Sequence, residues 1–329
     1  MRVLVTGGAG FIGATTAAAL LDAGHEVVVV DDLSRGHRDA VPDGARFVEA
    51  DVTDATALRP VVADGGFDAC IHFAALIEAG ESMQHPEAFF RVNTGGSATL
   101  LETLLDHAVP RFVLSSTAAV YGEPRQIPID EDDPTEPTNA YGESKLLVER
   151  MLAWHHRIHG LKVACLRYFN AAGATPGRPE RHDPESHLIP LLLQVAAGRR
   201  DHIAVFGTDY PTPDGTAVRD YIHVADLADA HVRAVERLDQ HGQLTCNLGS
   251  GTGFSVQQMI TAARRVTGHP IPAQPAPRRD GDPAQLVASS DRAGQLLGWR
   301  PQHSDLDRLV GDAWAHAAPV DPADTTRSP

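Results

Sequence analysis

Apolar and polar positions follow a repeating order through the first half of the chain. Six short apolar runs predict buried strands: residues 2–5, 26–30, 47–50, 69–73, 111–114 and 162–166. Longer stretches between these runs predict helices, the two longest over 86–107 and 141–159. Strands that alternate with helices are typical of a parallel sheet covered on both faces. We therefore predict an α/β fold built on a doubly wound parallel sheet.

The composition of the chain changes after Gly173, where a segment rich in proline, glycine and charged residues begins. We predict three parts: a first domain over 1–173, a smaller C-terminal lobe over 174–318 and a disordered tail over 319–329. Segments within 217–249, which contain a further apolar run, are expected to return to the sheet of the first domain.

A glycine-rich segment joins the first strand to the first helix. Gly8, Gly10 and Gly13 have the Gly-x-Gly-x-x-Gly spacing, with Gly7 in front. These glycines allow a tight turn and let backbone N–H groups approach a pyrophosphate at the start of a helix. Asp31 ends the second strand, where its carboxylate can accept hydrogen bonds from ribose hydroxyls and would repel a 2′-phosphate. The pattern predicts a Rossmann-type domain that binds NAD rather than NADP.

Other residues with useful chemistry stand where the predicted strands end. In parallel sheets these ends meet at one edge, where ligands bind. The residues at these ends are Thr6, Asp31, Asp51, Phe73, Ser115 and Asn170. Asp51 can meet the adenine, or alternatively cap the helix that follows it. Arg35 is the residue that favours NADP, and its alternative interpretation is a solvated loop charge.

Tyr141 and Lys145 stand four residues apart at the start of a predicted helix. Four residues are about one helical turn, so both side chains emerge on one face. A nearby ammonium favours the phenolate and lowers the pKa of a phenol from its usual value of about 10. The pair is a candidate general base, and the alternative is an ordinary surface pair.

Charge and composition exclude several classes of protein. A net charge of −15 argues against binding to nucleic acid or to anionic membranes. The three cysteines, Cys70, Cys165 and Cys246, are widely spaced and are interpreted as buried reduced thiols, and the sequence predicts no metal site. The chain shows neither a leader pattern nor a membrane-spanning run, so we expect a soluble cytoplasmic protein.

Motifs in both halves of the chain resemble one family. Four of them are similar to extended short-chain dehydrogenases/reductases: Gly7-Gly8-Ala9-Gly10-Phe11-Ile12-Gly13, Ser115-Ser116-Thr117, Tyr141-x-x-x-Lys145 and Arg167-Tyr168-Phe169-Asn170. Further segments resemble the UDP-glucose 4-epimerase family: residues 72–75, 207–216, 218–224 and 276–282. The resemblance runs from Val3 to about Trp314, in order along both lobes.

The resemblance implies a tightly held NAD that is reduced and reoxidised within each turnover. It implies that Tyr141 takes the proton of the sugar 4-hydroxyl, that Lys145 tunes Tyr141 and holds the nicotinamide ribose, and that Thr117 hydrogen-bonds the same sugar oxygen. The implied cofactor-binding residues are Gly7, Gly10, Phe11, Ile12, Gly13, Asp31, Asp51, Val52, Phe73, Ala74, Ala75, Asn93, Ser115, Tyr141, Lys145 and Tyr168. The implied residues around a UDP-sugar are Thr117, Tyr141, Asn170, His187, Leu188, Phe206, Arg219, Tyr221, Arg279, Asp282 and Leu286.

Three of the implied substrate residues have simpler interpretations: an Arg219–Asp220 surface pair, a core Phe206, and an Arg278–Asp280 loop in place of an anion-binding arginine. The chain also departs from the family's usual pattern at two places. Ile77 stands where the family often has a lysine near the cofactor, and Ser186-His187 replace a usual pair of asparagines. Cofactor retention and contacts to the uridine diphosphate are expected to differ there.

Competing functions stay open from the sequence. A 4,6-dehydratase or decarboxylase of the same superfamily usually has acidic residues after the catalytic threonine, where this chain has Ala118-Ala119. Epimerases that act on uronic acids, pentoses or N-acetylhexosamines also compete, as does a non-catalytic NAD-binding sensor. The two long predicted helices resemble those through which relatives form homodimers as a four-helix bundle. Leu286, in place of a tyrosine, implies a sugar pocket that also accepts N-acetyl groups.

Overall fold

The chain folds into a large parallel sheet and a smaller second lobe, in a computed structural model that describes residues 1–279 and 282–316. The described strands are β1 (Arg2–Thr6), β2 (Glu26–Asp31), β3 (Arg46–Glu49), β4 (Ala69–His72), β5 (Arg111–Thr117), β6 (Lys162–Tyr168), β7 (Asn170–Ala172), β8 (Ile203–Phe206), β9 (Val218–His223), β10 (Gln243–Leu248), β11 (Gly253–Ser255), β12 (Ala273–Ala276) and β13 (Gln285–Leu286). Seven of them form the central sheet in the order β10-β6-β5-β4-β1-β2-β3.

Helices connect and cover these strands. The described α-helices are α1 (Phe11–Asp22), α2 (Ala55–Ala63), α3 (Ala79–Ser82), α4 (Pro86–Phe89), α5 (Ser97–Asp106), α6 (Ala140–His159), α7 (Leu188–Ala196), α8 (Val224–His241), α9 (Val256–Thr267), α10 (Asp291–Leu297) and α11 (Leu306–His316). Among the described residues, none of the helices is both long and apolar enough to cross a lipid bilayer.

All neighbouring strands of the central sheet run parallel. The predicted doubly wound α/β fold is therefore confirmed. Alternate side chains of one strand pack on opposite faces, as Val3 and Val5 do on one face and Leu4 on the other. Because both faces of the sheet are covered by other elements, the strand sequences are continuous apolar runs.

The second lobe has small sheets of its own. β9 pairs with β7 and β13 in parallel and with β11 antiparallel, while β8 pairs with β12. Helices α7, α9 and α11 share an apolar core with this lobe. The chain returns to the central sheet with β10, which lies at its edge beside β6, whereas β9 stays in the second lobe. Residues 317–318 of the predicted lobe and the predicted tail over 319–329 lie outside the described residues.

The long helix predicted over 86–107 is interrupted. Between α4 and α5 the backbone forms a π-helical segment, Phe90–Gly96. Asn93 lies in this segment and is buried, with its amide donating to Leu76 O at 3.0 Å and to Ser144 Oγ at 2.9 Å. A wider helical turn of this kind often marks a functional site, and here it directs Asn93 toward both partners. The prediction of a regular helix was wrong at this segment.

Candidate active site

A cavity of about 360 Å³ opens where β1, β2 and β4 end. β1 lies between β2, the next strand along the chain, and β4, so the order of strands reverses at β1. Ligands of doubly wound folds bind at such a reversal. We call this space the cofactor cavity. Many predicted site residues line it: Gly7, Gly10, Phe11, Ile12, Gly13, Asp31, Asp51, Val52, Phe73, Ala74, Ala75, Ser115, Thr117, Tyr141, Tyr168, Asn170 and His187.

The glycine loop leaves room for a ligand at the start of α1. A Cβ built on Gly10 meets only the carbonyl oxygen of Gly7, at 3.4 Å, so the space it would fill belongs to the cavity. Gly10 is also the N-cap of α1, and it has no side chain to occupy the first N–H groups of the helix. Free N–H groups at a helix start are well suited to a pyrophosphate. The residues of the loop therefore fit a dinucleotide such as NAD.

Asp31 is fixed at the end of β2 by the backbone. Its Oδ2 accepts a hydrogen bond from Ala9 N and its Oδ1 one from Leu33 N, both at 2.9 Å. Burial raises the pKa of Asp31, and these two hydrogen bonds oppose that rise. Each carboxylate oxygen keeps further accepting capacity for a hydroxyl donor.

Asp51 lines the cavity and does not cap the next helix. Its Oδ1 accepts from Thr53 N at 2.7 Å within its own turn. The cap of α2 is Asp54, whose Oδ1 accepts from Thr56 N at 2.8 Å and Ala57 N at 3.2 Å. The alternative interpretation of Asp51 as a helix cap is therefore wrong.

Tyr141 lies in the first turn of α6, and local sequence explains its position. Asn139 caps the helix, because its Oδ1 accepts from Gly142 N at 2.8 Å. A Cβ on Gly142 would come within 2.5 Å of Ala119 O, so only glycine lets the helix approach the short turn that follows β5. This close approach brings Tyr141 beside Thr117 at the end of β5.

The fold alone keeps the Tyr141 phenol protonated. Burial raises the pKa of Tyr141 to about 12, the hydrogen bond with Thr117 opposes the rise, and the charge of Glu78 adds to it. Lys145 donates its Nζ to the backbone carbonyl of Ser115 at 3.0 Å. Burial lowers the pKa of Lys145 to about 8, against the opposing charge of Glu149. The expected lowering of the Tyr141 pKa by Lys145 stays a prediction.

A buried polar network supports the helix of Tyr141 from behind, and the sequence analysis missed it. Arg167 Nε donates to both oxygens of Glu149, at 2.9 and 3.2 Å. Arg167 also donates to Tyr121 OH at 2.9 Å, and Tyr121 OH donates to Asn247 Oδ1 at 2.7 Å. A buried charge needs such partners. The signal in the sequence was a carboxylate and an arginine within otherwise apolar segments.

A segment of the second lobe reaches across the mouth of the cavity, and this crossing was also missed. Both oxygens of Asp39 accept from the Arg181 guanidinium, at 2.7 and 2.9 Å. His37 Nε2 lies 2.8 Å from Arg181 O, and Arg35 Nη1 donates to Asp183 O at 2.7 Å. We call residues 178–187 the strap. Arg35 is exposed in its loop, as its interpretation as a solvated loop charge predicts, and it also contacts the strap.

Several predicted site residues do not line the cofactor cavity. They are Asn93, Lys145, Leu188, Phe206, Arg219, Tyr221, Arg279, Asp282 and Leu286. Asn93 accepts from Leu76 N at 2.8 Å in addition to its two donated bonds, so it holds the cavity wall in place. Leu188 packs against the core of the second lobe.

The substrate residues of the second lobe form a group of their own. Arg219 donates to the Asp282 carboxylate, and Leu286 is the β13 partner of Arg219. The Arg279 guanidinium lies 4.1 Å from the centre of the Phe206 ring. Burial raises the pKa of Tyr221 on β9 to about 12, so this tyrosine is neutral.

Two simpler interpretations of these residues are wrong. Asp220 is fully buried and accepts from the backbone and the side chain of Ser250, so it is not a surface partner of Arg219. Phe206 is 37% exposed and is not a core residue. Arg278 pairs with Asp209 at 2.7 Å, and Asp280 lies outside the described residues.

The sequence of this chain matches a family model described as the NAD dependent epimerase/dehydratase family over residues 3–249. The chain belongs to that family. A UDP-glucose 4-epimerase of Streptomyces lividans is 54% identical over 314 residues, which cover 95% of this chain and 95% of that protein. With relatives of this identity and coverage, the chain falls among the UDP-glucose 4-epimerases of the family.

Solved structures give the same result. A UDP-glucose 4-epimerase from Brucella ovis in complex with NAD has a TM-score of 0.93 and 44% identity, and the match covers 96% of this chain and 98% of that one. A UDP-glucose 4-epimerase from Bifidobacterium longum, in complex with NAD+ and UDP, has a TM-score of 0.91 and 37% identity, with 95% and 97% covered.

The two departures from the family pattern lie at the mouth of the cavity. Ile77 lines it where the family often has a lysine, so an apolar side chain replaces a cation, and Glu78 lines the cavity beside it. His187, in place of an asparagine, lies beside two glutamates of the strap, with its Nδ1 2.9 Å from Glu185 Oε1 and 3.1 Å from Glu180 Oε1. Both departures therefore line the cofactor cavity, and the second of them lies within the strap.

Proposed function

We propose that this chain is an NAD-dependent isomerase that interconverts UDP-glucose and UDP-galactose at carbon 4 of the sugar. The observation that carries the proposal is the Tyr141 phenol, which lies beside Thr117 and lines a cavity that fits NAD. A proton acceptor beside a hydride acceptor is what oxidation of a secondary alcohol requires. The family membership supports the same reaction.

Tyr141 accepts the proton of the 4-hydroxyl in this proposal, and Thr117 orients the same oxygen. Bound NAD supplies the hydride acceptor for carbon 4 and a positive charge on its nicotinamide ring. A positive charge close to Tyr141 lowers the pKa of the phenol from the raised value that burial gives it. Lys145 lies behind the cavity wall with its Nζ on Ser115 O at 3.0 Å, and in this proposal it reaches the nicotinamide ribose once NAD is bound.

The second lobe supplies groups suited to a uridine diphosphate. Arg219 and Arg279 provide two guanidinium groups, which can bind diphosphate oxygens in bidentate fashion. Arg219 is mostly buried and pairs with Asp282, so it is already desolvated and oriented. Asp282 can accept hydrogen bonds from ribose hydroxyls, and Phe206 offers an exposed aromatic face.

The residues around Thr117 do not support the rival reactions. A dehydratase needs an acid and a base near carbons 5 and 6, but the residues after Thr117 are Ala118 and Ala119, which carry only methyl groups. An NAD-binding sensor needs no proton acceptor, and here Thr117, Tyr141 and Lys145 are all present and ordered by hydrogen bonds.

We also propose that two copies of the chain associate through the helices around α4, α5 and α6. Trp154 and Ile158, which are one turn apart on α6, are 58% and 65% exposed. Two large apolar side chains on one face of a helix favour a partner surface. A two-fold arrangement would pair these helices as a four-helix bundle.

The sugar pocket is proposed to accept N-acetyl groups as well. Leu286 packs beside an apolar cluster that contains Ala118 and Leu146, which are close in sequence to Thr117 and Lys145. Leucine is shorter than tyrosine and has no hydroxyl that needs a partner. UDP-N-acetylglucosamine and UDP-N-acetylgalactosamine would then interconvert too.

Product analysis tests the proposed function. The purified chain is incubated with UDP-galactose, and the nucleotide sugars are separated by chromatography. The proposal predicts that UDP-glucose accumulates to a fixed ratio that is reached from either substrate. Formation of a 4-keto-6-deoxy sugar, or no reaction with either substrate, would refute it.

A further inference from the structure

We propose that the strap carries a Zn²⁺ site built from four side chains: Glu180, His182, Glu185 and His187. One ligand atom from each of these residues lies within 4.8 Å of all the others. The residues follow the spacing Glu-x-His-x-x-Glu-x-His within eight positions of the chain. Cysteine spacing gives no sign of this site, because the cluster has imidazole and carboxylate groups alone.

The distances within the cluster suit a small tetrahedral ion. His187 Nδ1 lies 2.9 Å from Glu185 Oε1 and 3.1 Å from Glu180 Oε1. His182 Nδ1 lies 3.2 Å from Glu180 Oε1 and 3.9 Å from Glu185 Oε2. Around a tetrahedral Zn²⁺ with bonds of about 2.0–2.2 Å, neighbouring ligand atoms are roughly 3.3–3.6 Å apart. The observed distances lie on both sides of that spacing and involve both oxygens of Glu185, so side-chain rotations are needed to bring one atom of each residue around a single ion.

Burial makes the cluster costly without a cation. The side chains of Glu180 and Glu185 are each only 8% exposed, and both point toward the same imidazole nitrogen. A single Nδ1–H group of His187 cannot donate a linear hydrogen bond to both carboxylates. Two buried carboxylates side by side also repel each other. A divalent cation between them removes both problems.

His182 supplies an independent observation. Its Nδ1 is buried and has no hydrogen-bond partner, although Glu180 Oε1 is 3.2 Å away, because the geometry does not suit a hydrogen bond. Buried polar atoms are nearly always paired, so an unpaired nitrogen that faces two carboxylates indicates a missing partner. A metal ion accepts the nitrogen lone pair from that direction.

The ligand types select zinc among common ions. Two imidazole nitrogens and two carboxylate oxygens are all typical zinc ligands. Mg²⁺ and Ca²⁺ prefer oxygen ligands, usually with water among them. Glu185 Oε1 also accepts from the backbone N–H groups of Ser186 and His187, each at 2.8 Å, which orients this carboxylate as outer-shell hydrogen bonds do in metal sites.

The site would act by cross-linking the strap internally, since all four ligands belong to it. Four protein ligands complete a tetrahedral shell, so the ion is structural and leaves no open position for chemistry. Glu180, His182 and His187 all line the cofactor cavity. The ion would therefore fix the conformation of the strap where it lines the cavity and set where α7 begins, at Leu188. His187 would bind through Nδ1 and keep Nε2 for another contact.

Metal analysis of the full-length chain tests the proposal without reference to its activity. The protein is purified without a metal-affinity tag and without chelators, and its zinc content is measured by mass spectrometry. We expect about one zinc per chain. We expect that His182→Ala and Glu180→Gln lose it, while His85→Ala, which changes an exposed histidine paired with Glu87 outside the cluster, keeps it.

Thermal unfolding supplies a second measurement. It compares the wild type with and without zinc, so a folding defect in a variant cannot account for the result. Zinc added to the chelator-treated wild type should raise its Tm by roughly 5 °C. His182→Ala should match the chelator-treated wild type and should not respond to zinc. A wild type that holds no zinc after loading and shows no change in Tm would overturn the proposal, and the cluster would then be a proton-sharing ion network. Zinc binding by His182→Ala equal to that of the wild type would overturn it as well.

Discussion

Lys145 Nζ donates a hydrogen bond to the backbone carbonyl of Ser115 at 3.0 Å. This bond ties the first turns of α6 to the last residues of β5, the strand that ends at Thr117. Ser115 Oγ is in turn hydrogen-bonded to Tyr168 OH on the neighbouring strand β6. Tyr141 on the helix and Thr117 on the strand therefore belong to elements that hydrogen bonds within the protein hold together.

Tyr141→Phe should abolish most of the turnover while leaving NAD bound. The variant loses the phenol oxygen that accepts the proton, but it keeps the aromatic ring, which packs edge-on against Phe89. We expect kcat to fall by roughly 10²–10⁴-fold. Kinetics give kcat, and the Tm shows whether the fold is intact. Near-normal turnover in a correctly folded variant would remove Tyr141 from the catalytic role.

The strap should slow the release of NAD. Asp39→Ala removes the two-bonded ion pair with Arg181 that holds the strap against the first domain. Because exposed ion pairs are worth about 0.2–1 kcal/mol, NAD should dissociate roughly two- to five-fold faster. The rate is measured from the change in protein fluorescence as bound NAD dissociates, either on dilution or when a competing dinucleotide displaces it.

A matched control separates this effect from a general loss of surface charge. Asp307→Ala removes an ion pair with Arg265 that is also exposed but lies between α9 and α11. Its NAD release should be unchanged. If both variants release NAD at the wild-type rate, the strap does not retain the cofactor.

Trp154→Glu should shift the chain from dimer to monomer. A charge at this exposed position on α6 would be buried against the partner helix, which is unfavourable. Light scattering at micromolar concentration should give twice the chain mass for the wild type and the chain mass for the variant. Ile127→Glu, at an exposed apolar residue outside the two long helices, should stay dimeric. A wild type that is monomeric at this concentration would reject the dimer.

Leu286→Tyr should restrict the sugar. The larger ring would fill the space proposed for the N-acetyl group, so turnover of UDP-N-acetylglucosamine should fall at least about ten-fold while that of UDP-glucose is kept. Leu286→Met, which nearly conserves volume, should leave both activities in place. An unmodified chain that does not turn over the N-acetyl sugar at millimolar concentration would show that Leu286 serves only packing.

The sequence predicted the parts of the fold that depend on local pattern. Continuous apolar runs such as Val27 to Val30 mark strands buried on both faces, and the glycine loop between β1 and α1 marks the cofactor cavity. The start of the helix that carries Tyr141 was predicted for the same reason. Asn139, Tyr141 and Lys145 lie in one short segment, and the spacing of Tyr141 and Lys145 is that of one helical turn.

Interactions between distant segments could not be predicted in this way. The Asp39–Arg181 pair joins residues far apart in sequence, and nothing local to either residue indicates it. The pair of Arg219 with Asp282 likewise joins residues far apart in sequence, and neither local segment indicates it. The π-helical segment depends on Asn93 meeting Leu76 and Ser144, which are placed by other elements.

The central claim is that the chain inverts carbon 4 by oxidation and return of the same hydrogen within one active site. The most direct measurement uses UDP-galactose that carries deuterium at carbon 4, with the product analysed by mass spectrometry and NMR. The account predicts UDP-glucose that retains the deuterium at carbon 4, and no uptake of hydrogen isotope from the solvent. Loss of the label, or solvent hydrogen incorporated at carbon 5, would contradict it.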